Sequence, residues 1–305
     1  MSEIVDLSKL PAPKVLEDLD YETLLTERKA KFLSLYTDES ERAVMATRLA
    51  LQSEPITKLL EENCYLQLLE RQRINNAAQA TMLAYATGTD LDVIGANYNV
   101  GRKVIQTEDL TTNPPTLEVL EADDDYRVRI QLAFEGLSVA GPRNAYIFHA
   151  LSAHEKVADV SVSSPSPASV LVTVMSSDNN GIPTTEILQA VRNKLNDDDI
   201  RPIGDRVTVQ ACTNTTYEIQ AKLHVYQGPE IEPIKQAAVK NLEKYTKEKR
   251  RLGRDISLSG IYAVLHIEGV QRVELLQPRA DIVLNHSQTG LCTRINIETV
   301  ISNDY

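Results

Sequence analysis

The sequence predicts an α+β protein with a helical N-terminal region that contains one long, partner-seeking helix. Two small α+β units with antiparallel sheets follow it. Two observations support this prediction. Apolar side chains recur at helical spacing up to about residue 90, and short alternating runs such as Val170, Val172 and Val174 appear in the second half. A chain of 305 residues has room for two or three domains of roughly 100–150 residues each.

Composition and charge narrow the class of protein. Hydrophobic residues make up 42% and charged residues 25% of the chain, and the net charge is −11. This acidic balance opposes nucleic-acid binding by phosphate neutralisation. The start, MSEIVDLSKL, lacks the basic and apolar regions of a secretory signal. Three cysteines without metal-binding spacing fit a reduced interior. We therefore expect a soluble protein that contacts neither nucleic acid nor membrane.

Residues 1–90 are predicted to form an N-terminal arm and a helical bundle region. One helix spans about 21–36 and a second follows Ser40. The longest helical signal runs from about Glu54 to Thr87, with Pro55 suited to its first turn and Gly88 to its end.

The long helix carries an apolar seam with two polar interruptions. Its members follow steps of four and three residues, close to a heptad: Leu60, Cys64, Leu68, Arg71, Asn75, Ala78, Met82 and Tyr85. Further leucines (Leu59, Leu66, Leu69) broaden the apolar surface, so the helix needs several neighbours. Two interpretations are open. The helix is the centre of its own domain, or the eight seam residues form an interface with helices of other chains, and the polar pair fixes the register.

Residues 91–140 are predicted to form a connecting mixed region. A short helix ends near Arg102, and a second begins at three aspartates, Asp123–Asp125, where negative charge complements the helix dipole. No metal-binding partner for these aspartates is visible. Breaks at 111–116 and 137–142 are candidate hinges.

The second half divides into a first α+β unit, residues 141–215, and a second, residues 216–305, which we expect to mediate dimerisation. Helices and strands alternate in both. Segment 154–165 resembles 267–278, and 190–193 resembles 238–241. These short matches indicate an internal repeat.

No catalytic, cofactor-binding or metal-binding residues are predicted. The sequence contains no nucleophile elbow, phosphate-binding glycine loop or zinc-protease motif. The five histidines are dispersed, and His149 and His154 would point to different sides of a helix. The basic run from Lys244 to Arg254 is typical of a solvated helix end. Its alternatives are contacts with nucleic acid or with an acidic protein.

Several motifs follow one another in a recognisable order. They are Leu91–Arg102 (LDVIGANYNVGR), Asp123–Ile130 (DDDYRVRI), Val157–Val162 (VADVSV), Asn180–Pro183 (NGIP) and Pro202–Val209 (PIGDRVTV). In this order, over roughly residues 60–280, the chain resembles the baseplate J-like family, which contains the phage baseplate assembly protein J and similar wedge components of contractile tails.

The resemblance implies a structural, non-enzymatic wedge component of a contractile-tail baseplate, located in the virion and assembled in the bacterial host cytoplasm. Two copies would join one copy of a second wedge protein through bundled N-terminal helices. The C-terminal region would pair with a neighbouring copy, next to a sheath-initiating or hub-adjacent tail protein. Such a wedge would transmit the trigger for sheath contraction. A phage, a defective tail and a bacteriocin fit equally.

Three alternatives are open. An RNA- or nucleotide-binding α+β protein would show a basic sheet face with exposed aromatic side chains. An enzyme would use Asp123–Asp125 with a histidine. An adaptor of another complex would differ only in its partners.

Overall fold

The computed structural model describes residues 5–7, 10–11, 13–138, 140–226 and 231–301, and these residues form two compact units. The first unit contains the described residues up to Arg102 together with Ala122–Arg127. The second contains Lys103–Glu121 and the described residues from Val128 onward. The predicted α+β class is confirmed. The predicted boundaries at 90/91, 140/141 and 215/216 stay predictions.

The helices of the first unit begin where local capping signals stand. Asp20 accepts a hydrogen bond from the Thr23 N–H at 2.9 Å, and Asp38 accepts one from the Ser40 N–H at 2.7 Å, so both caps satisfy free donors at helix starts. Pro55 occupies the first turn of the third helix. The helices are α1 Tyr21–Leu33, α2 Glu39–Leu49, α3 Pro55–Ala80 and α4 Gly88–Asn97, and α5 Asp123–Leu132 starts in this unit.

Helix α3 is shorter than the sequence predicts. It ends at Ala80, and turns follow up to Gly88, which begins α4 instead of ending α3. The Arg127 guanidinium explains the difference. It donates to the carbonyl oxygens of Leu83 at 2.7 Å and Ala86 at 2.9 Å, and it thereby satisfies acceptors that a continued helix would have used internally. The predicted end at Thr87 is therefore wrong.

The second unit begins with a two-stranded hairpin, β1 Val104–Gln106 and β2 Val119–Leu120. The predicted hinge at 111–116 lies at the tip of this hairpin, bounded by the Asp109–Thr116 bridge. Bending there would move only the tip, so this hinge prediction is wrong. The other candidate, 137–142, contains residue 139, which lies outside the described residues.

A central motif follows in the second unit. Its sheet has the order β3-β4-β5, with β3 and β4 antiparallel and β4 and β5 parallel. The crossover helix between β4 and β5 makes the parallel pair possible. The elements are α6 Arg143–Leu151, β3 Val157–Ser166, β4 Ser169–Ser176, α7 Thr185–Leu195 and β5 Arg206–Ala211.

The C-terminal motif has a sheet of order β7-β6-β8, with β7 antiparallel and β8 parallel to β6. Both sheets are thus mixed, where the sequence analysis expected antiparallel ones. Buried residues such as Ile219, Leu223, Leu242 and Ile261 form its core. The elements are β6 Thr213–Val225, α8 Ile231–Lys249, α9 Leu258–Leu265, β7 Val270–Gln277 and β8 Gln288–Ile301.

The two motifs share one arrangement in a different chain order. In each, the middle strand has one antiparallel and one parallel neighbour. Helix α6 contacts β3 and α7 contacts β5, while α9 contacts β7 and α8 contacts β8; the two helices of each motif also touch. Strand β3 therefore corresponds to β7, and α7 to α8. These pairs of elements contain the pairs of segments that match in sequence. The two motifs are therefore a repeat in which the order of the elements along the chain is permuted.

Candidate assembly interface

The seam of α3 begins in the interior of its own unit. Leu60 and Cys64 are buried in a cluster with Leu25 of α1 and Leu49 of α2. Burial raises the pKa of the Cys64 thiol, so this cysteine is a neutral packing residue. The first two seam residues thus have neighbours within this chain.

The two polar seam residues bind the N-terminal segment of the same chain. Arg71 Nη1 lies 3.1 Å from Glu17 Oε2. Asn75 is buried; its Nδ2 donates to the Glu17 carbonyl at 2.9 Å, and its Oδ1 accepts from the Glu17 N–H at 3.1 Å. The side-chain amide therefore pairs with both backbone groups of one residue, as a neighbouring strand would.

The remaining seam residues, Leu68, Ala78, Met82 and Tyr85, are half-buried. Met82 and Tyr85 lie beyond the end of α3, in the turns that precede α4. The structure therefore places four of the eight residues in contacts within the first unit. An interface of the seam with a partner helix stays a prediction.

A second apolar face of α3 is exposed. Leu59, Tyr65, Leu66, Leu69 and Ile74 each keep 46–63% of their surface accessible; we call these five residues the outer stripe. Leu59 and Leu66 are seven residues apart and Leu69 is three further on, so they share one side of the helix. Exposed apolar surface of this extent is typical of protein interfaces. In the sequence these leucines broaden the apolar surface next to the seam, and the spacing alone does not separate the two faces.

Within the first unit, Arg102 connects helix α4 to the start of helix α5. Its guanidinium contacts Asp92 Oδ1 at 2.6 Å and Asp123 Oδ1 at 2.7 Å, and donates to the Gly88 carbonyl at 3.2 Å. It also lies 4.7 Å from the centre of the Tyr126 ring. Only Arg, with a planar fork of donors, can make these contacts together. We call this group the Arg102 clasp.

The clasp gives Asp123 a role that the sequence analysis missed. Burial works against its ionised carboxylate, but hydrogen bonds from Arg102 and from the Gly88 N–H prevail and lower its pKa. Asp124 pairs with Arg127 at 2.7 Å. In the part of the chain that the structure describes, no cluster of His, Cys, Asp and Glu is arranged to hold a metal ion. The sequence signal that could have revealed the pairing of Arg102 with Asp123 is an arginine directly after a glycine, with aspartates on both sides of it in the chain.

Close packing between α4 and α5 supports the clasp. The Tyr126 hydroxyl, buried beneath Arg102, donates to the Val100 carbonyl at 2.7 Å. A Cβ at Gly95 would lie 1.9 Å from that hydroxyl, so only glycine fits at this helix position. The motif LDVIGANYNVGR therefore meets the motif DDDYR in one compact polar contact.

A joint connects the central and C-terminal motifs of the second unit. The turn Asn179–Gly181 has three successive positive φ angles of 49°, 51° and 83°, and it directs two carbonyl groups outward. The Asn180 carbonyl accepts from Asn214 Nδ2 at 2.7 Å, and the Gly181 carbonyl accepts from Cys212 Sγ at 3.1 Å.

Part of the basic run belongs to this joint. Arg251 Nη1 donates to the Ala158 carbonyl at 3.1 Å, and Arg250 is half-buried beside Gly181. Lys244 and Lys247, in contrast, are exposed on α8. The expectation of a solvated helix end thus fits Lys244 and Lys247 and is wrong for these two arginines.

The face of the C-terminal sheet opposite its helices carries charges of both signs. Lys222 stands beside Glu274 and Glu298 in the register, and Glu218 stands beside Arg294. These positions alternate with the buried ones along β6. The face is neither predominantly basic nor lined by aromatic side chains at these positions, so it lacks the features that an RNA-binding protein was predicted to show.

Three family models match successive parts of the chain. The baseplate J-like N-terminal domain matches residues 52–109, the central domain matches 138–211, and the C-terminal domain of baseplate J-like proteins matches 217–298. The chain belongs to the baseplate J-like family. It is therefore a structural protein of the phage tail baseplate, a component of the virion, and it interacts with other baseplate proteins.

A curated relative supports the assignment over nearly the whole length. The chain is 57% identical over 296 residues to baseplate protein J of Escherichia phage P2. The matched region covers 97% of this chain and 98% of the relative. Among the described residues, no helix has the length and apolar composition needed to cross a bilayer.

Proposed function

We propose that this protein is a wedge component of the baseplate of a contractile tail. Two copies join one copy of a second wedge protein, and the C-terminal region of each copy pairs with a neighbouring copy near a sheath-initiating or hub-adjacent protein. The assembled wedge transmits the trigger for sheath contraction. The protein acts by binding and moving, without catalysis and without a cofactor.

The outer stripe of α3 is the observation that supports this proposal most directly. A helix of 26 residues is about 39 Å long, and one side of it packs on α1 while the outer stripe is exposed. Burying a leucine contributes on the order of 2 kcal/mol, so the stripe offers enough apolar surface for a stable helix bundle.

The seam has a supporting role in this proposal. Leu60 and Cys64 already pack inside the unit, so a partner helix could reach them only if α1 and α2 moved aside. The outer stripe requires no such movement. We therefore place the partner contact on the outer stripe, while the seam holds α3 in position.

Transmission of a trigger requires parts that move as bodies and do not deform. The contacts within each unit suit that role. The Arg102 clasp ties α4 to the start of α5 in the first unit. The joint between the central and C-terminal motifs uses hydrogen bonds to carbonyls of a conformationally restricted turn.

The proposal is tested by co-expressing the tagged chain with its genomic neighbours and measuring the mass and composition of the purified complex. We expect two copies of this chain with one copy of a second tail protein, and loss of that complex when residues 1–90 are removed. A monomer that associates with no tail protein would contradict the proposal.

A further inference from the structure

The hairpin of the second unit is held rigidly at its base. Glu121, directly after β2, forms a buried ion pair with Arg129, at 2.6 Å between Oε2 and Nη2 and 2.8 Å between Oε1 and Nε. The Glu121 N–H donates to the Lys103 carbonyl at 2.9 Å, and Lys103 Nζ donates to the His154 carbonyl at 3.3 Å. Contacts of the residues just before β1 and just after β2 thus fix the orientation of the hairpin.

The tip of the hairpin is also ordered by its own hydrogen bonds. Asp109 Oδ1 accepts from the Thr111 N–H at 2.9 Å and from its hydroxyl at 2.5 Å. The Thr112 hydroxyl lies 3.0 Å from the Pro114 carbonyl and accepts from the Thr116 N–H at 3.0 Å. A tip that is already ordered loses little conformational entropy when it binds.

Five apolar side chains on this hairpin are exposed. Leu110 and Leu117 keep 67% and 68% of their surface accessible, and Val104, Val119 and Leu120 are also exposed. In the described part of the chain, neither β1 nor β2 has another strand beside it. A two-stranded hairpin gains little stability from such residues in water, so their presence is better explained by burial against another molecule.

We infer that the hairpin 103–121 is a binding finger that inserts Leu110 and Leu117 into an apolar pocket, rimmed by Lys or Arg, on a different tail protein. Residues 104–120 contain three carboxylates, those of Glu108, Asp109 and Glu118, and no Lys or Arg. A basic rim would complement these charges. A second copy of this chain, with a net charge of −11, is the poorer match. The inference rests on the proposed place of the protein in a tail particle.

The test uses a photo-crosslinking residue, p-benzoylphenylalanine, introduced singly at Leu110 or Leu117 in the full chain and assembled into tail particles. Ile203, fully exposed in a loop of the same unit, is the matched control position. We expect both hairpin positions to form an adduct with the same second tail protein, and the control position to form none with it.

A charge-reversed finger tests the nature of the pocket. Combining the crosslinker with Glu108→Lys and Glu118→Lys should lower the adduct yield by about fivefold or more, because like charges would then face the rim.

Four outcomes would overturn the inference. They are adducts only between copies of this chain, adducts equal to those at Ile203, an unchanged yield after charge reversal, and no adduct at all. If particles contain the chain but give no hairpin adduct, the finger is refuted and the proposed function stands. If the chain is absent from particles, both fail.

Discussion

The carboxylate of Asp159 in β3 accepts a hydrogen bond from the backbone N–H of Leu252, at 2.8 Å, in the loop after α8. It also accepts one from the Val160 N–H at 3.0 Å, and the Arg251 side chain binds the neighbouring Ala158 carbonyl. An acidic side chain of the central motif thus fixes the loop that leads from α8 to α9 in the C-terminal motif.

The Asp159 contact should make stability depend on pH. Burial raises the pKa of this carboxyl, against the opposing effects of Arg251 and the two N–H donors. The folded state therefore holds the Asp159 proton more tightly than the unfolded state. Its stabilising contribution is complete below the unfolded pKa and is lost as pH rises through the folded pKa. Relative to Asp159→Asn, the wild type should lose about 1.4 kcal/mol for each unit by which the pKa is raised.

Urea unfolding of both proteins between pH 3 and pH 8 measures this difference. Asp198→Asn, on an exposed loop, is the matched control. A free-energy difference between wild type and Asp159→Asn that stays constant over the whole range, or that grows in favour of the wild type as pH rises, would contradict the prediction.

The buried ion pair between Glu121 and Arg129 should be costly to break. Both side chains are only 6% exposed, so Glu121→Ala would remove the carboxylate that balances the charge of the buried Arg129 guanidinium. We expect a loss of about 3–5 kcal/mol in the free energy of unfolding. Adding Arg129→Met should restore much of it, because the uncompensated charge is removed as well. Chemical denaturation checks both variants, and a loss below about 1 kcal/mol for Glu121→Ala would show that the pair is not structurally important.

Gly95→Ala should destabilise the first unit through Tyr126. The added Cβ would lie 1.9 Å from the Tyr126 hydroxyl and 2.9 Å from the Val100 carbonyl, so Tyr126 must move and lose its hydrogen bond. We expect a cost of about 1–3 kcal/mol. Tyr126→Phe alone should cost about 1 kcal/mol.

The two substitutions should not be additive, because Tyr126→Phe removes the atom that the new methyl group meets first. Gly95→Ala should therefore cost less in the Tyr126→Phe background than in the wild type. Thermal unfolding of the four proteins of this cycle gives the coupling. Equal costs of Gly95→Ala in both backgrounds would mean that the steric conflict lies elsewhere.

Local signals in the sequence predicted the elements that local chemistry determines. The helix predicted from about residue 21 begins at Tyr21, because the capping side chain of Asp20 binds an N–H group only three residues away. The alternating run Val170, Val172 and Val174 lies in strand β4, since alternation is a property of the strand itself. The family resemblance also rested on short local motifs.

Contacts between distant segments were not predictable in this way. The parallel partners of β4 and β6 depend on crossovers, and the end of α3 depends on Arg127, 44 residues after Leu83. Asn75 binds Glu17, 58 residues earlier; the spacing within the helix showed a polar interruption but not its partner. The outer stripe and the seam became distinct only when α1 and α2 covered one side of α3.

We propose above that the outer stripe of α3 joins this chain to a second wedge protein. The most direct test is the composition of the co-expressed complex with Leu66→Gln and Leu69→Gln. Val93→Gln, at an even more exposed apolar residue on α4, is the control. We predict that the double variant keeps its unfolding temperature but loses the second protein, with affinity reduced by tenfold or more, on the order of 1.4 kcal/mol, while the control retains it. An intact complex of unchanged affinity with the double variant would contradict the claim.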